Sequence, residues 1–223
     1  MSASTTREPL TYQRVVTAAM QVADDEGLPA LTMRRLAAEL RCEAMSLYHH
    51  VPGKDALLAA LADRVTALVV EAAAAIDRPT WIETERDRCL AARDVMLRHP
   101  WGPGLLTAQE EQPPSSWALF EQLVGTLAAA GFDDHLAHRA IHALGSMVLG
   151  FSTELFEPDD GQSTPDPETM AMLAEHMPNL TRMAAAVVHE VDGALSVCDT
   201  QAEFTFTLGL ILEGLERERL TTS

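Results

Sequence analysis

The chain lacks any apolar run approaching the 18 or so residues that a membrane-spanning helix needs. Its opening, MSASTTREPL, has no apolar core of the kind that marks a secretory leader. A cytoplasmic protein with no membrane partner is the expectation. Cysteine is scarce. Cys42, Cys89 and Cys198 are odd in number and far apart, which fits a reducing compartment and excludes a disulfide framework or a paired-cysteine zinc site. Aromatic residues make up only 5% of the chain, and β-branched residues never alternate with polar ones, so nothing predicts a sheet. Glycine-rich phosphate loops and nucleophile motifs are missing as well, so neither catalysis nor a cofactor is expected. Basic residues are outnumbered: 16 Lys and Arg face 33 Asp and Glu, for a net charge of −17.

What is present describes an ordinary globular protein: 223 residues, 47% hydrophobic and 22% charged. The charge is unevenly spread. Residues 1–55 hold six basic and seven acidic residues, leaving −16 for the rest, and within 30–54 four basic residues face two acidic ones. A locally basic segment on a strongly acidic body suggests two tasks.

Between its prolines and glycines the chain reads with helical period throughout, which predicts an all-α fold. Thr11 is placed to cap a first helix carrying Val15, Val16, Ala19, Val22 and Ala23 as far as Gly27. Thr32 caps a short second helix with Met33, Leu36, Ala37 and Leu40 on one face. After a break at Arg41-Cys42-Glu43, a third helix over 44–50 stops at Val51-Pro52-Gly53. A fourth, over 54–75, is long enough to connect two domains. Further helices are expected at about 80–98, 102–109, 114–130, 134–157, 167–177, 179–195 and 201–219. The expected organisation is a small domain over 10–55, a connecting helix over 56–75 and a larger helical domain over 76–223.

Two short helices joined by a three-residue break and preceded by a supporting helix have the dimensions of a helix-turn-helix, whose second short helix enters a DNA major groove. The stretch LTMRRLAAELRCEAMSLYHHVPGKDALLAAL, from Leu31 to Leu61, closely resembles the DNA-binding head of the TetR family of transcriptional repressors. The likeness rests on the Thr-x-Arg-Arg-Leu-Ala start of helix two, the Ser-Leu-Tyr-x-His centre of helix three, and the Gly-Lys-Asp start of helix four. It covers roughly residues 10–75, and YQRVVTAAMQVADDEG and FTFTLGLILEGLERE look like the family's first and last helices.

Arg34 and Arg35, near the start of helix two, can reach a phosphate or the guanine edge that accepts a bidentate pair. The resemblance makes Arg34 the base reader and counts the cap Thr32 with the DNA-facing set. Ala44, Met45 and Ser46 open the recognition helix, and their small or apolar side chains suit thymine methyls more than hydrogen-bonded readout. By resemblance Tyr48 and His50 bind the phosphate backbone, His49 stands at the rim, and Lys54 binds a phosphate with the free amides of helix four. The family commonly has glycine where this chain has Arg41. A left-handed Arg41 would cost on the order of 1–2 kcal/mol. Cys42 is expected to be a buried, inert thiol.

In the acidic body, Ile141, Leu144, Val148 and Phe151 share a stripe, as do Phe204, Leu208, Ile211 and Leu215. Two such stripes can build an intermolecular four-helix bundle, which the resemblance implies for a homodimer, or can serve the chain's own core. For an effector pocket the candidates are Trp101, Leu105, Leu106, Trp117 and Phe120, with Met147, Phe151, Met170 and Met177. The family binds a small, often hydrophobic ligand there, so an apolar or amphipathic effector is expected. His135, His138 and His142 share one helix face, but two turns of helix span roughly 10 Å, too far for one metal ion; no metal site is expected.

The leading function is therefore a ligand-responsive repressor that binds a palindromic, double-stranded operator as a homodimer. Two others stay open: a dimeric small-molecule-binding module without DNA recognition, and an all-α metal-dependent enzyme using the three histidines.

Overall fold

The computed structural model describes residues 9–151, 167–187, 189–191, 194–196 and 200–222. Two compact units partition the chain. The first combines residues up to Ser152 with Leu212–Ser223, and the second is Thr153–Ile211.

The first unit begins with α1, Tyr12–Glu26, whose start is set by Thr11: its side-chain oxygen accepts the Arg14 amide at 3.2 Å. A cap of this kind is worth about 1 kcal/mol. A single 3-10 turn, Leu28–Ala30, leads to α2, Met33–Leu40, which Thr32 caps through the Arg35 amide at 3.0 Å. Then comes α3, Ala44–Leu47, one turn long. The expected helix over 44–50 thus closes early, and Tyr48–His50 form a turn in which the Val51 amide returns to the Leu47 carbonyl at 2.8 Å. Leu47 and Val51 are both buried, and with Leu36 and Val15 they form the small core.

Out of this head runs α4, Lys54–Ala73, with Leu57, Leu61, Val65 and Val69 buried along its length. It packs on α1 at one end and on α5, α6 and α7 further along. Those helices are α5 (Trp81–Arg98), α6 (Gly102–Thr107) and α7 (Ser116–Ala129), followed by α8 (Asp134–Gly150). A capping box opens α5: Thr80 accepts the Glu83 amide, and the Glu83 carboxylate accepts the Thr80 amide. Past Phe151, the continuation of this helix expected to residue 157 and all but Pro167 of the acidic loop expected over 158–167 lie outside the described residues; Pro167 opens the next helix.

The second unit contains α9 (Pro167–His176) and α10 (Pro178–Val187), packed together, and an antiparallel hairpin of β1 (His189–Val191) and β2 (Ala194–Ser196). A helix was expected as far as residue 195. It ends at Val187 instead, and His189-Glu190-Val191 and Ala194-Leu195-Ser196 pair as two three-residue strands, too short to change the all-α class. Finally α11, Thr200–Thr222, runs through both units.

Candidate nucleic-acid interface and effector cavity

A sharp turn between α2 and α3 sets the angle of the reading helix. Arg41 stands there with φ 52° and ψ 44°, the left-handed conformation, and among the described residues it is the only non-glycine with positive φ. Its amide donates to the Ala38 carbonyl at 3.2 Å, and the Cys42 amide donates to Ala37 at 3.0 Å. This is the paired closure of a Schellman motif, which satisfies the carbonyls that α2 leaves open. The glycine-type turn is therefore kept without the glycine. Cys42 is half-buried, not buried as expected; among the described residues the buried thiol is Cys89. Burial and the nearby Glu85 charge push Cys89 up to about 12, which keeps it protonated and unreactive.

The predicted DNA-facing side chains are reachable from solvent. Thr32, Arg34, Met45, Tyr48, His49 and Lys54 are exposed, while Ala44, Ser46 and His50 are half-buried. Met45 is 73% exposed, an unusual state for a large apolar side chain in a helix this close to a core. Arg34 makes no ion pair among the described residues. Arg35 differs: its guanidinium bridges Glu26 of α1 at 2.5 Å and Glu39 of α2 at 2.8 Å. These hydrogen bonds raise its already high proton affinity, and they tie the reading element to its support instead of leaving a free cation.

A second site lies within the first unit: a cavity of about 430 Å³ walled by α4, α5, α6, α7 and α8. Its wall is mostly apolar, with Val69, Met96, Leu106, Phe120, Leu144 and Val148 among its residues, which suits a small organic molecule. Of the expected pocket residues, Leu106 and Phe120 line it, and the other described side chains do not. Trp101, Leu105 and Met147 are buried elsewhere, Trp117 and Met177 are exposed, Phe151 follows the end of α8, and the Met170 side chain lies outside the described residues.

The dimer stripe also needs correction. Ile141, Leu144 and Val148 face the cavity, while Phe204, Leu208 and Leu215 are buried and Ile211 and Phe151 are half-buried. Of the two uses the period left open, these placements favour the chain's own interior: a helical stripe shows that something covers it, not whether that cover is the same chain. On α11 the apolar side chains left in solvent are Phe206 (67% exposed), Leu210 (55%) and Leu220 (62%). On α8 the exposed side includes His135, His138 and His142, and the rings of the last two meet edge to face at 4.7 Å. Among the described residues no three His, Cys, Asp or Glu side chains are grouped to hold a metal ion.

Two polar features escaped sequence reading. At the inner end of the cavity Glu85, 3% exposed, bonds Arg88 at 2.8 Å. Desolvation raises the Glu85 pKa, against the pull of Arg88. Nearer the head, the Asp24 carboxylate of α1 accepts the Trp101 indole N–H at 2.6 Å and lies 2.8 Å from His99 Nδ1. Glu85 and Arg88 stand three apart on one helix, and that spacing is a visible signal in the sequence. Nothing local connects Asp24 to residues 75 and 77 positions further along.

A short, exposed reading helix held at a fixed turn, with a mostly apolar cavity in the same unit, defines a ligand-responsive DNA-binding regulator. Residues 15–61 match the family described as bacterial regulatory proteins, tetR family, and residues 75–219 match the tetracyclin repressor-like C-terminal domain. The chain belongs to the TetR family of transcriptional regulators. Among its relatives is the transcriptional repressor DrrR1 of Streptomyces coeruleorubidus, 34% identical, the match covering 93% of this chain and 77% of that one. Among solved structures, a possible TetR family regulator from Streptomyces coelicolor superposes with a TM-score of 0.74 at 29% identity, over 92% of this chain and 98% of the other. ActR from the same organism, in complex with actinorhodin, gives 0.72 at 27% identity, over 95% and 99%. No helix among the described residues is long and apolar enough to cross a membrane.

Proposed function

We propose that this protein represses transcription by binding a palindromic operator as a homodimer, and that a small apolar or amphipathic molecule in the cavity releases it. The observation that carries this reading is the double attachment of α6. Leu106 and Thr107 line the cavity, while Trp101, at the helix's N-terminal cap, bonds Asp24 of the head and the helix body packs on α4. A ligand that displaces α6 shifts α4 and α1 together and changes the spacing of two heads. Lowering DNA affinity about a hundredfold requires roughly 2.7 kcal/mol of coupling, within the usual allosteric range.

In this reading Arg34 contacts a base, Ala44, Met45 and Ser46 pack on base edges, and Tyr48, His50 and Lys54 hold phosphates. His49 stands at the rim, Thr32 caps the helix that presents Arg34, and Arg35 braces the head through its two carboxylates. The dimer face is assigned to the exposed side of α11, with Phe206 and Leu210. No catalysis, metal or cofactor is assigned, and the site of action is the cytoplasm.

Selection of bound duplexes from a randomised library at moderate salt tests the proposal. An inverted repeat with half-sites about one helical turn apart, 34–36 Å, is the expected product. Failure to enrich any sequence, even at low salt where nonspecific attraction is greatest, would leave a binding module without DNA recognition.

A further inference from the structure

The three histidines of α8 cannot all share one ion, but two of them can. His138 and His142 are exposed on successive turns, with ring centres 4.7 Å apart and ring planes at 75°. Among the described residues neither imidazole is engaged in a hydrogen bond or an ion pair, so its nitrogens face solvent. The separation of the rings carries information. A metal ion bonded at about 2.0–2.1 Å to one nitrogen of each ring stands about 3.2 Å from each ring centre, and centres 4.7 Å apart then subtend about 95° at the ion. That is close to the right angle between neighbouring ligands in octahedral or tetragonal coordination, and well short of the about 109° of a tetrahedral site. The rings now meet edge to face, so one must turn before both nitrogens point to the same place. Turning about χ2 leaves the ring centre almost where it is, because that bond's axis passes close to it, and the torsion is a broad, soft one.

Beyond the reading of the protein as a repressor, and independently of it, we propose that His138 and His142 form a binding site for a late first-row divalent ion of the Ni²⁺ or Cu²⁺ kind, with water in the remaining positions. Imidazole nitrogen suits these ions, whereas Mg²⁺ and Ca²⁺ take oxygen ligands. His135 is not a third ligand, because two turns of helix carry it roughly 10 Å from His142. The net charge of −17 helps any cation approach and selects none; the selection comes from the two nitrogens and the angle between them. Ile141, Leu144 and Val148 of the same helix line the cavity, so an ion that links successive turns of α8 also braces one of the cavity's walls.

Calorimetric titration of the full-length, untagged protein with Ni²⁺ at neutral pH tests the site, since neutral imidazole is the form that binds metal. His138→Gln and His142→Gln are each expected to weaken binding about tenfold or more, because losing either ring turns a chelate into a single contact. His135→Gln should leave the affinity unchanged, and excess Mg²⁺ should not displace the ion. All three side chains are exposed, so none of these substitutions touches the core. Thermal melting gives a second reading of the same site: Ni²⁺ should raise the midpoint of the native protein and lose that effect in the variant carrying both His138→Gln and His142→Gln. Equal Ni²⁺ affinity in the native protein and in that double variant overturns the proposal, as does a loss in His135→Gln as large as in the other two. Failure here leaves the repressor reading intact, because operator binding rests on the head and is measured without added metal.

Discussion

The head and the cavity use arginine in opposite ways. Arg34 stands in water without an ion pair among the described residues, and Arg88 is turned inward, its side chain 17% exposed and fixed by four hydrogen bonds. An exposed, mobile cation attracts any phosphate, weakens with salt, and gains selectivity only when a base edge meets it. A cation held in place by several hydrogen bonds has little freedom to adapt. In the proposed reading the same residue type supplies reach in one region and a fixed internal charge in the other. Between the two lie α4 and α6, which touch both.

Four experiments break or sharpen this contrast. The largest effect is expected from Phe206→Glu combined with Leu210→Glu, which places charges on the exposed face of α11. Sedimentation should show a monomer, and operator affinity should fall on the order of 10²–10⁴-fold as the two heads lose their linkage. An intact dimer would move the interface elsewhere. Arg34→Ala comes next. Losing a bidentate base contact costs about 1–3 kcal/mol and relaxes preference at one operator position, without changing effector affinity. If Arg34 held only a phosphate, binding would instead weaken evenly across sequences, with a shallower salt dependence.

The third experiment reads the inward charge through pH. Because burial raises the Glu85 pKa above the ordinary carboxylate range, the folded state binds this proton more tightly than the unfolded chain does. The associated stability is fully present below the unfolded pKa, near 4.3, and is lost as pH rises through the folded value. Denaturant titrations of Glu85→Gln across that window should show a flatter pH profile than the native protein. An unchanged profile would remove Glu85 as its source. Smallest is Arg41→Gly, which relieves the left-handed side chain at the turn. A gain of roughly 1 kcal/mol, or about 2–4 °C in melting midpoint, is expected with operator affinity retained.

The head was the more legible region because its chemistry is local. Thr11 and Thr32 cap the helices they precede, and the motif from Leu31 to Leu61 points to one family. At Arg41 the departure from glycine left two outcomes, a reshaped turn or a tolerated left-handed residue, and the backbone adopts the second. The body resisted because its stripes say only that a face is covered. Ile141, Leu144 and Val148 have the spacing of a dimer seam and line the cavity instead. Large apolar side chains were poor guides to the cavity for a related reason: Trp101 is committed to Asp24, and Trp117 faces solvent at 67% exposure. Arg88 of α5 bonds Gln122 and Thr126 of α7, and no spacing within one helix reveals that they meet.

The central claim is that occupation of the cavity controls the head, and this can be measured without knowing the effector. Ala92 lines the cavity on α5 and is 8% exposed, so Ala92→Phe places a ring where a ligand would stand. Operator affinity of this variant should fall by roughly 5–150-fold, the range of allosteric coupling, while a melting midpoint at or above the native value shows that the cavity has been filled without disrupting the fold. A filled, stable protein that binds its operator as tightly as the native one would contradict the claim and leave the cavity unconnected to DNA.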